Sequence, residues 1–344
     1  MVESALGAGR PPKQRKPWQH PAVRIAGSAI ILAALLLVLP FNDMREALRR
    51  VPLVVWPVAL GVYMTLHLIG VAKWRLLINV AGADISFAQA ARAYYWGLFG
   101  NTFLPSIVGG DVVKAGMAMR AAKSKSGLVL GSLIDRLLDV IGMAAVAGIG
   151  AVLSPRALDP QSRRIFLGLG ALLAVAGVAA LVGLALLPVK RLPFKVRRKL
   201  VHVRQAVRAT AGRSWALAVA LLLGMLLQSL LVVLNFWLGI VIGISIPLYV
   251  WLFVWPLAKI SGLLPVTQGG IGVREAAQAA LFAPFGVSAV KAVATGLVFE
   301  VVIIVGGLLG GLVGVLMKTS DAGRQTTARR RGAATDPRPS APVA

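Results

Sequence analysis

The chain has 344 residues, 58% of them hydrophobic and 14% charged, with a mean hydropathy of +0.80. A soluble domain is about half apolar and about a quarter charged, so this composition excludes a water-soluble fold for most of the chain. The net charge of +25 resides in Lys and Arg between apolar runs, as in cytoplasmic membrane loops, and without an aromatic–basic module it does not indicate nucleic acid.

Residues 1–21 are rich in Pro, Lys and Arg and read as a basic cytoplasmic tail. The first apolar run, 22–40, is too long for a signal-peptide core and no A-x-A site follows it, so an uncleaved span is expected. Further spans of 18 or more apolar residues, enough to cross about 30 Å of hydrocarbon, fall at 52–72, 127–153, 165–187, 215–238 and 287–316. Two other apolar regions, 86–119 and 247–285, contain Pro followed by paired Gly and read as interrupted helices. The membrane domain is therefore expected over 22–317. The short basic, Pro/Ala-rich stretch 318–344 is expected to be disordered.

The basic loop 188–213, with Lys190, Arg191, Lys195, Arg197, Arg198, Lys199, Arg204, Arg208 and Arg213, sets the orientation. The positive-inside rule puts it in the cytoplasm with both termini, as in a bacterial inner membrane. Arg45, Arg49 and Arg50 lie outside in this arrangement, against the rule. The first interrupted segment then has both ends inside and the second both ends outside. The expected fold is an all-α membrane protein with about six full spans and two re-entrant broken helices, about eight hydrophobic segments, arranged as an inverted repeat.

A sequence match supports the repeat. Leu104-Pro105-Ser106-Ile107-Val108-Gly109-Gly110 and Leu264-Pro265-Val266-Thr267-Gln268-Gly269-Gly270 both read L-P-x-x-x-G-G, and Lys114 and Arg274 stand at the same distance after each. Inverted repeats with broken helices at corresponding positions mark secondary transporters, whose site lies between the repeats. Pro105 and Pro265 remove a backbone donor, and Gly109, Gly110, Gly269, Gly270 and Gly272 permit turns and close approach, so these are the expected hinges.

Ionisable groups inside such spans are costly and are candidates for a site. Asn101, Asp111 and Lys114 flank the first break. Freed amides at the following helix start are suited to an anion such as phosphate, although a kink with Asp111 and Lys114 at the water boundary explains the same residues. Arg274 presents a planar fork to phosphate or carboxylate, with Glu275 beside it; an interfacial Arg–Glu anchor is the alternative. Asp135 and Asp139 share one helix face, and Arg136 is spaced to pair with Asp139. Glu300 stands without a cation near it in sequence; Lys259 is a candidate partner. Gly306, Gly307, Gly310 and Gly311 form a Gly-x-x-x-Gly surface for helix packing. There are no cysteines, and His20, His67 and His202 show no ligand spacing, so no metal or cofactor is expected. Gly270-Ile271-Gly272 is not a dinucleotide fingerprint, and no Walker motif occurs.

With N-x-x-L-P-x-x-x-G-G-D at 101–111, the Asp135-Arg136 pair and L-P-x-x-x-G-G-x-G-x-R-E at 264–275, the chain resembles the flippase-like family, the transmembrane region of lysylphosphatidylglycerol synthases and its stand-alone relatives. The resemblance covers about residues 20–320; Lys114 stands where the family often has Arg. It implies a bacterial inner-membrane protein that moves lipid between leaflets, with the residues above as the site. It also implies no lysyl transfer, because no soluble transferase domain follows the membrane region. The expected partner is a phosphate-bearing lipid, with a homo-oligomer or an envelope-synthesis partner as further contacts. A non-transporting member of such a complex, or a membrane enzyme on a lipid-linked substrate, are the other readings.

Overall fold

The computed structural model describes residues 51–103, 109–153, 212–262 and 270–334, together with Arg45, Glu46 and Arg49. The expected spans 22–40 and 165–187, the tail 1–21, most of the basic loop, and Pro105, Pro265 and Gly269 lie outside these residues.

The described residues form helices. They are α1 (Val55–Val80), α2 (Phe87–Phe103), α3 (Gly109–Ala118), α4 (Lys125–Leu153), α5 (Ser214–Ile242), α6 (Leu248–Ser261), α7 (Val273–Phe282) and α8 (Ala289–Ala334), with a 3-10 turn at Ala283–Phe285. Four stretches are long and apolar enough to cross a membrane: Val55–Val80, Lys125–Leu153, Ser214–Ile242 and Ala289–Met317. They coincide with four of the six expected spans. The backbone of α8 continues to Ala334, into the expected tail, while its side chains are described to Met317.

Local chemistry fixes the helix ends. Ser86 and Gln89 exchange hydrogen bonds, Gln89 N–H to Ser86 Oγ at 3.2 Å and Ser86 N–H to Gln89 Oε1 at 2.9 Å, so the S-x-x-Q sequence opens α2 as a capping box. Ser124 and Ser288 accept from the amides of Gly127 and Lys291 at the starts of α4 and α8. Gly243 ends α5 at φ 91°, a left-handed conformation that costs a glycine little.

The order long helix, short helix, break, short helix, long helix occurs twice. Each broken segment begins and ends at one end of the bundle. In the first half, the Lys123 N–H donates to Ala83 O at 2.9 Å and the Lys123 ammonium pairs with Asp84, joining the α1–α2 loop to the α3–α4 loop. This exposed pair holds the Asp84 carboxyl below its ordinary range, by its hydrogen bond and by charge. In the second half, Lys291 Nζ donates to Gly243 O at 2.8 Å, joining the start of α8 to the end of α5. Helices α1 and α5 run antiparallel: Leu77 clusters with Ala220, and one turn back along α1 Lys73 lies beside Gly224, one turn forward along α5. The two hairpins therefore open at opposite ends of the bundle. Each hairpin packs chiefly on the long helix that closes the other half, α2 on α8 and α6 on α4.

Glycines set these crossings. On α8, Gly307 abuts Leu98 and Thr102, Gly310 abuts Tyr95, Gly311 abuts Phe99 and Gly314 abuts Trp96, all on α2, while Gly306 abuts Tyr63 of α1, so the Gly-x-x-x-Gly surface is spent within the chain. Gly109 and Gly110 are already helical in α3 and are not the turn itself. The use of Gly110 is proximity: a methyl group on it would overlap the Gly97 carbonyl of α2. Gly270, at φ 82°, meets Gly262 in the same way in the second hairpin. The second glycine of each L-P-x-x-x-G-G motif thus lets the returning helix touch the outgoing one. Gly110→Ala should cost about 1–3 kcal/mol, the range for overpacking a close contact, read as a lower melting temperature in detergent; Gly116→Ala, with nothing near its Cβ, should cost nothing measurable.

Candidate functional site

Between the two halves lies a cavity of about 450 Å³, lined by side chains from all eight helices. Of the residues singled out in the sequence, Asn101, Asp111, Lys114, Asp135, Arg136, Asp139, Lys259, Arg274 and Glu300 face it, as does Gly110. Glu275 does not.

One side carries an ion network. Lys73 of α1 is 2.9 Å from Asp135 Oδ1 and 2.5 Å from Asp139 Oδ1. Lys114 of α3 is 3.1 Å from Asp111 Oδ1 and 3.3 Å from Asp135 Oδ2. Arg136 reaches Asp111 at 3.7 Å. Three cations meet three carboxylates, so the network is neutral. Asp135 is its centre, at 4% exposure, and joins α1, α3 and α4. Lys114 also lies 5.0 Å from the Trp74 ring and 5.2 Å from the Tyr94 ring, an aromatic enclosure that favours a cation.

The expected pairing of Arg136 with Asp139 does not form. Lys73 takes Asp139, because α1 continues eight residues beyond the expected end of its span at 72 and carries Lys73 inside the bundle. The apolar residues after it, Leu76, Leu77, Ile78 and Val80, carry the helix past the expected end of the span.

The other side centres on Arg274, at 9% exposure. Its Nε and Nη2 donate to Glu275 Oε1 at 3.2 and 2.8 Å, and the same Nη2 donates to Glu300 Oε2. Glu275 Oε2 accepts the Gly272 N–H at 2.6 Å. Gly272, at φ 86°, is the residue before α7. The run G-x-R-E is thus one device: a glycine turn, a guanidinium aimed at the cavity, and a carboxylate that caps the helix and holds the guanidinium. Glu275, fully buried behind Arg274, is a positioning residue.

Lys259, the expected partner of Glu300, instead donates to Gln228 Oε1 at 3.0 Å and sits 4.9 Å from the Trp255 ring. Arg274 takes Glu300 because α7 and α8 pack together across 26 residues of sequence. The helix-start amides expected to bind an anion are in part already used: Gly110 N–H donates to Asn101 Oδ1 at 3.0 Å, and Gly272 N–H to Glu275. Asn101 therefore bridges the first break.

Sequence reasoning also missed Gln228 and His67. Gln228 is a polar residue in the middle of a span, 4% exposed, which was signal enough. His67 faces the cavity, edge-on to Tyr63, with Nδ1 3.2 Å from the Tyr94 hydroxyl. Among the described residues no three His, Cys, Asp or Glu side chains are grouped as metal ligands.

A bundle of apolar helices that buries paired charges around a central cavity is a multi-pass membrane protein. Residues 24–311 match the family described as "Lysylphosphatidylglycerol synthase TM region", and the chain belongs to it. No curated protein and no solved structure gave a match.

Proposed function

We propose that this protein carries a phosphate-bearing lipid between the leaflets of a bacterial inner membrane, with both termini in the cytoplasm and the two halves working as an inverted repeat around the cavity. The observation that supports this most is the meeting of both hairpins, opened at opposite ends of the bundle, at one cavity lined by charges from both halves. Broken backbone is tolerated at membrane depth where it is enclosed by protein or lines a wet cavity, and helix breaks at matching positions in two halves are the arrangement of alternating-access carriers. The sequence holds no ATP-binding motif, so an ion gradient, a lipid gradient or a partner drives the step.

The test is a leaflet-asymmetry assay in proteoliposomes with fluorescent phospholipids of several headgroups. Transfer should exceed that of protein-free vesicles and fall to their level in Met143→Trp, which fills the cavity from the α4 wall. Wild-type protein that moves no headgroup faster than protein-free vesicles would overturn the reading.

A further inference from the structure

Among the described residues the cavity's charges are matched except at two points. On the second side Arg274 alone serves two carboxylates, a surplus of one negative charge. Glu275 is saturated, with donors on both oxygens. Glu300 receives only the shared Nη2 on Oε2; its Oε1 has no donor among the described residues, and the side chain lines the cavity at 12% exposure. The opposite defect is Lys259. It also lines the cavity, and its hydrogen-bond partner is the neutral amide of Gln228, not a carboxylate.

A buried charge whose neighbours do not fully balance it is costly. A simple anion would satisfy Lys259 and leave Glu300; a simple cation would do the reverse. A dipolar group satisfies both. We propose that the cavity is selective for a zwitterionic phosphodiester headgroup of the phosphoethanolamine type, its phosphate on Lys259 and its primary ammonium on Glu300 Oε1. The ammonium is primary because Glu300 Oε1 needs an N–H donor and a quaternary ammonium has none. The aromatic surface that would hold a quaternary group instead is taken: Lys259 lies over Trp255, and Phe299 stands edge-on to that ring. The inference rests on the reading of the substrate as a phosphate-bearing lipid and adds the headgroup.

The test reads binding, not transport. Purified protein is offered an equimolar mixture of phosphatidylethanolamine, phosphatidylglycerol and phosphatidylcholine, and retained lipid is weighed by native mass spectrometry. The wild type should retain phosphatidylethanolamine about tenfold over either competitor, the preference that one good charge-assisted contact of about 1.4 kcal/mol gives. Glu300→Gln should abolish the preference over phosphatidylglycerol; the fold should tolerate it, because Arg274 and Glu275 remain as a one-to-one pair. Lys259→Gln should lower retention of all three. Soluble phosphoethanolamine tells the lipid from the free ester: as a competitor at equal concentration it should displace little lipid, and full displacement would overturn the lipid assignment. Equal or greater retention of phosphatidylglycerol or phosphatidylcholine by the wild type overturns the proposal without any variant. Selective retention without transfer would count against the carrier reading alone, and transfer of a different headgroup against this one alone.

Discussion

Arg274→Ala should destabilise the folded protein by about 3–5 kcal/mol, the usual cost of removing one partner of a buried ion pair and leaving the other. The effect is large because two carboxylates depend on this side chain. Glu275, with no exposure, would keep the Gly272 N–H and lose its counter-charge, and Glu300 would lose its donor. Arg274→Lys should recover only part of the loss, since an ammonium lacks the fork by which Nε and Nη2 both reach Glu275 while Nη2 also reaches Glu300. Arg274→Ala combined with Glu300→Gln should be more stable than Arg274→Ala alone, because one orphaned charge is removed. Thermal melting of the three variants in detergent checks this; a double variant no better than the single one would mean that Glu300 does not depend on Arg274.

Asp135→Ala should cost a similar amount, about 3–5 kcal/mol by the same argument. Asp135 is the carboxylate that both Lys73 and Lys114 share, and these stand on α1 and α3 while it stands on α4. Its loss leaves three cations with two carboxylates and releases three helices from a common tie. Asp139→Ala should cost less, because Lys73 keeps Asp135 and Asp139 is 20% exposed. Lys123→Ala, which removes the exposed pair with Asp84, should leave the melting temperature unchanged. Melting curves of the three variants give the order directly.

Much of this fold can be read in the sequence because its parts are local. The apolar runs give the four described spans, Ser86-x-x-Gln89 gives a helix start, and the duplicated L-P-x-x-x-G-G gives the two hairpins and the glycine that closes each. The candidate site is half legible. Spacing within a helix places Asp135 and Asp139 on one face, and adjacency places Glu275 beside Arg274. Pairings between helices are a matter of register, which no local spacing encodes. For that reason Lys73 to Asp139, Arg136 to Asp111 and Glu300 to Arg274 could not be read before the helices were seen together. Lys259 follows from the same fact: once Arg274 takes Glu300, the lysine turns to the Gln228 amide and the Trp255 ring.

The absence of native cysteine makes a direct test of the carrier account straightforward. Met143→Cys puts one thiol on the buried wall of the cavity, where Met143 is 4% exposed. A membrane-impermeant thiol reagent, applied to sealed vesicles of each orientation in turn, should label that cysteine from both faces of the membrane, as a cavity that opens alternately to each leaflet requires. Labelling from one face only, or from neither, would contradict alternating access.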